Sequence, residues 1–501
     1  MKELYEISLL LLFCLLLFFI FLYSLSQLHL LISYLKKRRL ANDPDRTDPL
    51  ELEEYPVVTI QLPLYNEKEV VERLLNNIVQ MDYPAEKLEI QVLDDSTDES
   101  AELTRELVSR LKFLKHNIIY LSRSHRADFK AGALKEGLKT AKGDFIAIFD
   151  SDFLPEPDWL KRSLPHFNND HIGAVQTRWG HLNRNYSLMT KVQAFALDFH
   201  FLLEQNGRSF SGNFINFNGT AGIWRKECIQ DAGNWQGDTL TEDLDLSYRA
   251  QLKHWKFKYL DSVVTPAELP ITMEAVRSQQ FRWNKGAAEN FQKNFRKIMS
   301  AKGISAFTRM HGFFHLLNSS LFLLILALSL ISLPILFLSQ RPEYAFFFNL
   351  MLFFGLSTLI FFFAYWVTYS RIHGREFRNF LNFIGMFFGF FSIAMGFSLH
   401  NSRAVLEGHL GIKSSFVRTP KFNLSENAPL PRLKKRKAWS WEQFLEFLLF
   451  LYFSIAVGAA FYLENYSLLP FHLMLLFGYG FMVYNSHGFL PNKISAPSKL
   501  N

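Results

Sequence analysis

The chain has 501 residues, 49% of them hydrophobic, 52 phenylalanines, and a net charge of +7. Its length gives room for two or three domains. Two cysteines, Cys14 and Cys228, lie in unlike surroundings, one in an apolar run and one in a polar stretch, which excludes a disulfide framework or a zinc site. The basic balance does not call for nucleic acid as a partner: the clusters at 36–39, 371–378 and 434–437 flank apolar runs, as the positive-inside rule requires.

In chain order, residues 1–40 read as a membrane anchor, apolar over 7–26 and closed by Lys36-Lys37-Arg38-Arg39. No small-residue cleavage site follows, which argues against a removed signal peptide. Residues 41–55 form a polar linker, and 41–300 are expected to make one cytosolic domain. Strand-like runs at 57–62, 88–93, 118–121 and 145–149 alternate with helix-like patterns at 67–80 and 100–114. Strand–helix alternation predicts an α/β domain with a largely parallel sheet, whose ligands bind beyond the carboxyl ends of the strands.

Residues 301–501 are expected to be membrane and interface helices. Runs at 313–338 and 345–367 are long enough to span, and 447–463 and 468–483 are shorter candidates. With the soluble domain in the cytosol, 313–338 leaves and 345–367 returns, so Arg371, Arg375 and Arg378 stay inside. A crossing by the apolar run 380–399 would put the basic stretch 402–437 outside, so that run is expected to lie along the membrane surface. The expectation is five spans, with the N-terminus out and the C-terminus in. The expected location is a bacterial inner membrane or its equivalent.

The acidic landmarks fall at strand ends. Asp150-Ser151-Asp152 follows the run 145–149, and in extended chain Asp150 and Asp152 share a face while Ser151 points away. Paired carboxylates suit Mg²⁺ or Mn²⁺ bound to a diphosphate. Asp94-Asp95-Ser96 follows 88–93. A carboxylate there would meet a nucleoside, with Asp94 favoured over Asp95, although such residues also cap helices. Asp243, in Thr241-Glu242-Asp243, is placed to take a proton from an acceptor hydroxyl, with Glu242 and Asp245 as competitors. In Gln279-Gln280-Phe281-Arg282-Trp283, Arg282 offers a planar fork for phosphate. Trp283 offers a flat face for a sugar ring, or an anchor at the membrane interface.

These residues in this order resemble the processive, membrane-embedded family-2 glycosyltransferases, which include cellulose synthase and the cellulose-synthase-like mannan and glucan synthases. The resemblance also covers Gln61-Leu62-Pro63-Leu64-Tyr65-Asn66-Glu67, Phe129-Lys130-Ala131-Gly132-Ala133-Leu134 and Phe217-Asn218-Gly219-Thr220-Ala221-Gly222. It implies a nucleotide-diphospho-sugar transferase (GT-A type) fold and an inverting reaction. Tyr65, Glu67 and Asp94 would lie at the nucleoside, and Lys130, Asp150, Gln279 and Arg282 at the diphosphate. Asp150 and Asp152 would hold the metal, Asp243 would be the base, and Trp283 would stack the acceptor. The stretch 415–421 resembles the cellulose synthase gating loop, F-x-V-T-x-K. Phe416, Thr419 and Lys421 keep their spacing, while Arg418 departs from the pattern. The loop, taken as 412–425, would cover the donor site. Gln280 and the Phe-Asn-Gly-Thr-Ala-Gly segment lie closer to the mannan and glucan synthase branch.

The function so implied is transfer of sugar from UDP-glucose or GDP-mannose to a growing β-linked polysaccharide, with passage of the product across the membrane. The alternative is a transferase that places one sugar on a lipid acceptor. A transporter or receptor with a degenerate domain is a third reading, disfavoured because every expected carboxylate is present. The implied partners are a nucleotide sugar, a glycan or lipid acceptor and the bilayer, and the sequence leaves accessory subunits open.

Overall fold

The computed structural model describes residues 1–40, 52, 54–424 and 439–486. Most of the expected linker, the basic cluster at 434–437 and the last residue of the 412–425 loop lie outside them. The polar domain holds a seven-stranded sheet of order β3-β2-β1-β4-β6-β5-β7. The strands are β1 (Val58–Leu64), β2 (Leu88–Asp94), β3 (Ile118–Ser122), β4 (Phe145–Ile148), β5 (Ile172–His181), β6 (Gly222–Arg225) and β7 (Lys256–Ala267). The first four agree with the sequence expectation to within two residues at either end.

Both faces of the sheet are covered, so its strands read as continuous apolar runs. Val58, Ile60 and Leu62 pack on one face with Leu74 and Ile78 of α2 (Val71–Ile78) and Leu107 and Leu111 of α3 (Ser100–Phe113). Ile146 and Ile148 pack on the other face with Leu134 of α4 (Phe129–Thr140) and with Trp224.

Strands β1 to β4 pair parallel, but β6 runs antiparallel to both β4 and β5. That reversal has a consequence for the site. Ile148 at the end of β4 pairs with Gly222 at the start of β6. The segment 217–221 therefore arrives at the carboxyl edge of the sheet, beside the residues that leave β4.

The rest of the chain is helical. Among the described residues, five helices are long and apolar enough to cross a membrane: Lys2–Leu40 (α1), Ala306–Leu338, Pro342–His373, Phe377–Gly396 and Trp441–Tyr462. The set differs from expectation in one member. Phe377–Gly396 qualifies, and the run expected at 468–483 forms the helix Leu469–Ser486. Glu6, near the start of α1, pairs with Arg341 at 2.6 Å and accepts from Tyr344 Oη at 3.1 Å. Tyr34, near its end, accepts from Arg371, whose guanidinium also pairs with Asp261 of β7. The helices Ala306–Leu338 and Pro342–His373 thus leave the polar domain and return to it alongside α1. Both flanks of Phe377–Gly396 touch that domain, Arg371 through Asp261 and His400 through the Arg277 carbonyl at 3.0 Å.

Leu62 is fully enclosed between the sheet and its covering helices. Leu62→Ala is expected to cost about 2–5 kcal/mol, read as a lowered apparent melting temperature of the detergent-solubilised protein.

Candidate active site

One cavity opens at the carboxyl edge of the sheet. It is lined by Tyr65, Glu67, Lys130, Asp150, Asp152, Asp243, Gln279, Arg282, Trp283, Phe416, Thr419 and Lys421. Of the residues to which the resemblance gives a site role, Asp94 alone stands outside its lining. Asp94 is buried behind the wall, accepting from Ser96 N at 2.9 Å and Tyr120 Oη at 3.1 Å. Strand alternation explains this. Asp94 shares the face of Val92, while Asp95 turns to the other side, lines the cavity and pairs with Arg123. Of this pair, Asp95 is the carboxylate that lines the cavity, while Asp94 lies behind its wall.

The loops after β1 and β2 are laced together. Asn66 has φ of 57°, its N–H donates to Ser96 Oγ at 2.8 Å, and its Oδ1 accepts from Thr97 N at 2.9 Å. This presents Tyr65 and Glu67 at the rim.

After β4 the chain turns rather than continuing extended. Asp150 N–H donates to Thr220 Oγ1 at 2.8 Å, and the Asp150 carboxylate takes Lys130 Nζ at 2.5 Å. Lys130 also donates to Gly219 O at 2.9 Å, so the segment brought in by β6 fixes both charges. Asp152 pairs with Lys421 and accepts from Glu268 N at 3.3 Å. Ser151 was expected to point away. Instead the turn directs its Oγ to Lys421 at 2.9 Å.

Asp150 and Asp152 offer the hard oxygen donors that Mg²⁺ or Mn²⁺ prefers. Among the described residues no three His, Cys, Asp or Glu side chains converge on a metal site. Two carboxylates would suit an ion that keeps water and phosphate oxygens. Lys421 holds one of the two in its place.

Asp243 stands in the first turn of α6 (Glu242–Leu252). Burial, and then the neighbouring Glu242 charge, push its carboxyl up to about 7, with Lys130 pulling the other way. Glu242 is raised too, mainly by burial. Asp245 is no competitor, because it is buried and bound to Arg249 at 2.8 Å and Lys293 at 3.0 Å. Gly219 has φ of 79°, and a Cβ there would lie 2.9 Å from Asp243 Oδ2, so the backbone approaches the carboxylate as only glycine allows.

Gln279, Arg282 and Trp283 lie on α7 (Met273–Ser300) and face the cavity. The same helix anchors the Asp243 segment. Glu289 accepts from Leu240 N at 2.7 Å, and Asn290 donates to Thr241 O at 3.1 Å and to Thr241 Oγ1 at 2.9 Å. A Cβ on Gly286 would lie 2.5 Å from Thr241 Oγ1. These supports follow Arg282 at helical spacing, which was the available signal for them.

The loop resembling a gate is inside the cavity. Arg282 donates to Thr419 Oγ1 at 2.8 Å and lies 4.7 Å over Phe416. Arg418, the departure from the pattern, donates to Glu67 at 2.7 Å. Glu268 escaped the sequence reading; its carboxylate accepts from Phe422 N at 2.8 Å and Leu424 N at 3.1 Å. Burial works against the Lys421 charge, but Asp152, Glu67 and Asp150 outweigh it and hold its pKa above the ordinary lysine value. With the loop in place the open volume is about 240 Å³, below the ~300–1,000 Å³ of ordinary small-molecule sites.

The profile described as "Glycosyltransferase like family 2" matches residues 56–286. Residues 56–286 are a family-2 glycosyltransferase domain. Glucomannan 4-beta-mannosyltransferase 1 of Oryza sativa subsp. japonica is 42% identical over 281 residues, 55% of this chain and 54% of that protein. Glucomannan 4-beta-mannosyltransferase 9 of Arabidopsis thaliana is 43% identical over 262 residues, 51% of this chain and 49% of that protein. The chain spans about half the length of the curated relatives it matches. A mannosyltransferase of Pyrobaculum calidifontis, solved with GDP-Man and Mn²⁺, superposes with a TM-score of 0.50 at 20% identity. The overlap covers 70% of this chain and 98% of that one, and shows the GT-A fold. These plant relatives give no support to a bacterial membrane as the location. What stands is a membrane protein with, among the described residues, five helices long and apolar enough to span.

Lys421→Met frees the Asp152 oxygens. Mn²⁺ binding without nucleotide, followed by electron paramagnetic resonance, is expected to tighten about tenfold, equivalent to about 1.4 kcal/mol.

Proposed function

We propose that this protein is a membrane-embedded, inverting β-glycosyltransferase that extends a polysaccharide from a nucleotide sugar, with GDP-mannose preferred to UDP-glucose as donor. The observation that carries the reading is the meeting of Asp150, Asp152, Lys130, Asp243, Arg282 and Trp283 in one cavity. The names of the relatives and the GDP-Man bound by the archaeal neighbour support the donor.

In this reading Tyr65 stacks the base, and Lys130 and Arg282 meet the diphosphate. Asp150 and Asp152 hold Mg²⁺ or Mn²⁺, which when bound neutralises charge on the leaving diphosphate. Trp283 presents a flat apolar face to the acceptor sugar. Asp243 takes the proton of the acceptor hydroxyl as that oxygen attacks the anomeric carbon. The new C–O bond forms as the bond to the diphosphate breaks, so the anomeric centre inverts. A carboxyl held near 7 is matched to this task at neutral pH. Lys130 and Arg282 oppose the negative charge gathering on the diphosphate. The loop 416–421 covers the donor and keeps water out.

Residues 1–40 serve as anchor, 41–300 as the cytosolic transferase, and 301–501 as the helices beside which the product crosses. The Glu6–Arg341 and Tyr34–Arg371 contacts at opposite ends of α1 favour an outer N-terminus and an inner catalytic domain. The contacts at both flanks of Phe377–Gly396 favour its lying along the inner surface.

Purified protein in lipid, given labelled nucleotide sugars and Mn²⁺, is expected to make a mannanase-digestible polymer from GDP-mannose. Short lipid-soluble products from every donor would instead establish the glycolipid alternative. Asp243→Asn is expected to lower turnover at least ~10²-fold. The base must be ionised, so the wild-type rate should rise with pH and level off above about 7. A rate that is flat from pH 5 to pH 8 on a scale of about one unit would remove Asp243 from that role.

A further inference from the structure

The face of Tyr65 is already occupied. Arg126 Cζ lies 3.4 Å from the Tyr65 ring centroid, the separation of stacked planes. The same guanidinium is 5.1 Å from the Phe129 ring and 5.3 Å from the Phe416 ring. Its Nε is enclosed and has no hydrogen-bond partner among the described residues. Arg123, three residues earlier, is fully engaged, donating to Asp95, to Ala127 O at 2.9 Å and to Phe129 O at 2.9 Å. One arginine thus braces the turn before α4, and the other leaves a planar fork resting in the aromatic slot.

The geometry points to Arg126 as the residue that selects the base of the donor, in favour of guanine. The inference rests on the nucleotide-sugar reading above and adds the residue that reads the base. A base stacking on Tyr65 must displace the guanidinium. The braced turn keeps the displaced side chain at the edge of the slot. There its paired N–H groups face the base edge, and the O6 and N7 acceptors of guanine match them. Adenine sets an amino donor beside N7, and uracil sets the N3–H donor beside O4, so either leaves one arm of the fork unpaired. Displacement also presses on Phe416, which lies between Arg126 and Arg282. A seated base is therefore felt by the covering loop.

The test is calorimetric titration of the full-length protein in lipid nanodiscs with GDP and with UDP, in Mn²⁺, for the wild type, Arg126→Leu and Arg126→Lys. The wild type is expected to bind GDP about tenfold more tightly than UDP. Arg126→Leu is expected to lose that preference through weaker GDP binding, with UDP affinity held within about threefold. Arg126→Lys should not restore it, because an ammonium cannot make the paired contact. A GDP to UDP ratio unchanged in Arg126→Leu, or recovered in Arg126→Lys, overturns the role of Arg126 and leaves the enzyme reading intact. A folded wild type that binds neither nucleotide overturns both.

Discussion

Charge compensation inside a nearly closed cleft is the condition on which the rest of the structure depends. Glu67, Asp150, Asp152, Glu242 and Asp243 line a single cavity, and so many carboxylates brought together would be prohibitive if unpaired. Lys130, Arg282, Arg418 and Lys421 supply the opposite charge. Lys130, Arg418 and Lys421 each come from a different stretch of chain from the carboxylate they meet. The pairs therefore tie α4 to the end of β4, and the loop 416–421 to both β1 and β4. Asp243 forms no ion pair among the described residues and is hydrogen-bonded to the Leu244 N–H of its own helix turn at 2.9 Å, and burial with the Glu242 charge raises its pKa.

The same network continues into the membrane-facing half. Asn218 lines the cavity, and its side chain contacts His200 Nε2 at 3.1 Å. His200 in turn contacts Glu204 at 2.9 Å, and Glu204 accepts from Gln27 of α1 at 2.8 Å. His200 and Glu204 sit in the π-helical stretch His200–Gln205, a local widening of the helix that turns both inward. An unbroken chain of polar contacts thus joins the first helix of the protein to the wall of the cleft. With Arg371 on Asp261, it gives the catalytic domain fixed points of attachment to the helices beneath it.

The local signals survived folding where a single stretch of chain carried them. The parallel strands up to β4 needed only apolar runs buried on both faces. Asp150 and Asp152 stayed together because they are two residues apart, and Gln279, Arg282 and Trp283 because one helix face holds all three. Asp94 and Asp95 mark the limit of that information, since alternation within a strand shows that two neighbours diverge but not which one lines the cavity. The Ser151 reading failed because a turn replaced the extended chain that its parity assumed.

The amino-acid sequence by itself determined the class of the domain, the carboxylates, the aromatic and cationic residues of the site and the apolar helices, because each is written in short-range spacing and polarity. Only the tertiary structure decided which charge meets which. Antiparallel β6 delivers Gly219 and Thr220 to Lys130 and Asp150. Lys421 reaches Asp152 across 269 residues, and Arg418 reaches Glu67 across 351. Electrostatic partners so far apart in the chain are chosen by the packing that brings them within reach, and no local pattern records that choice.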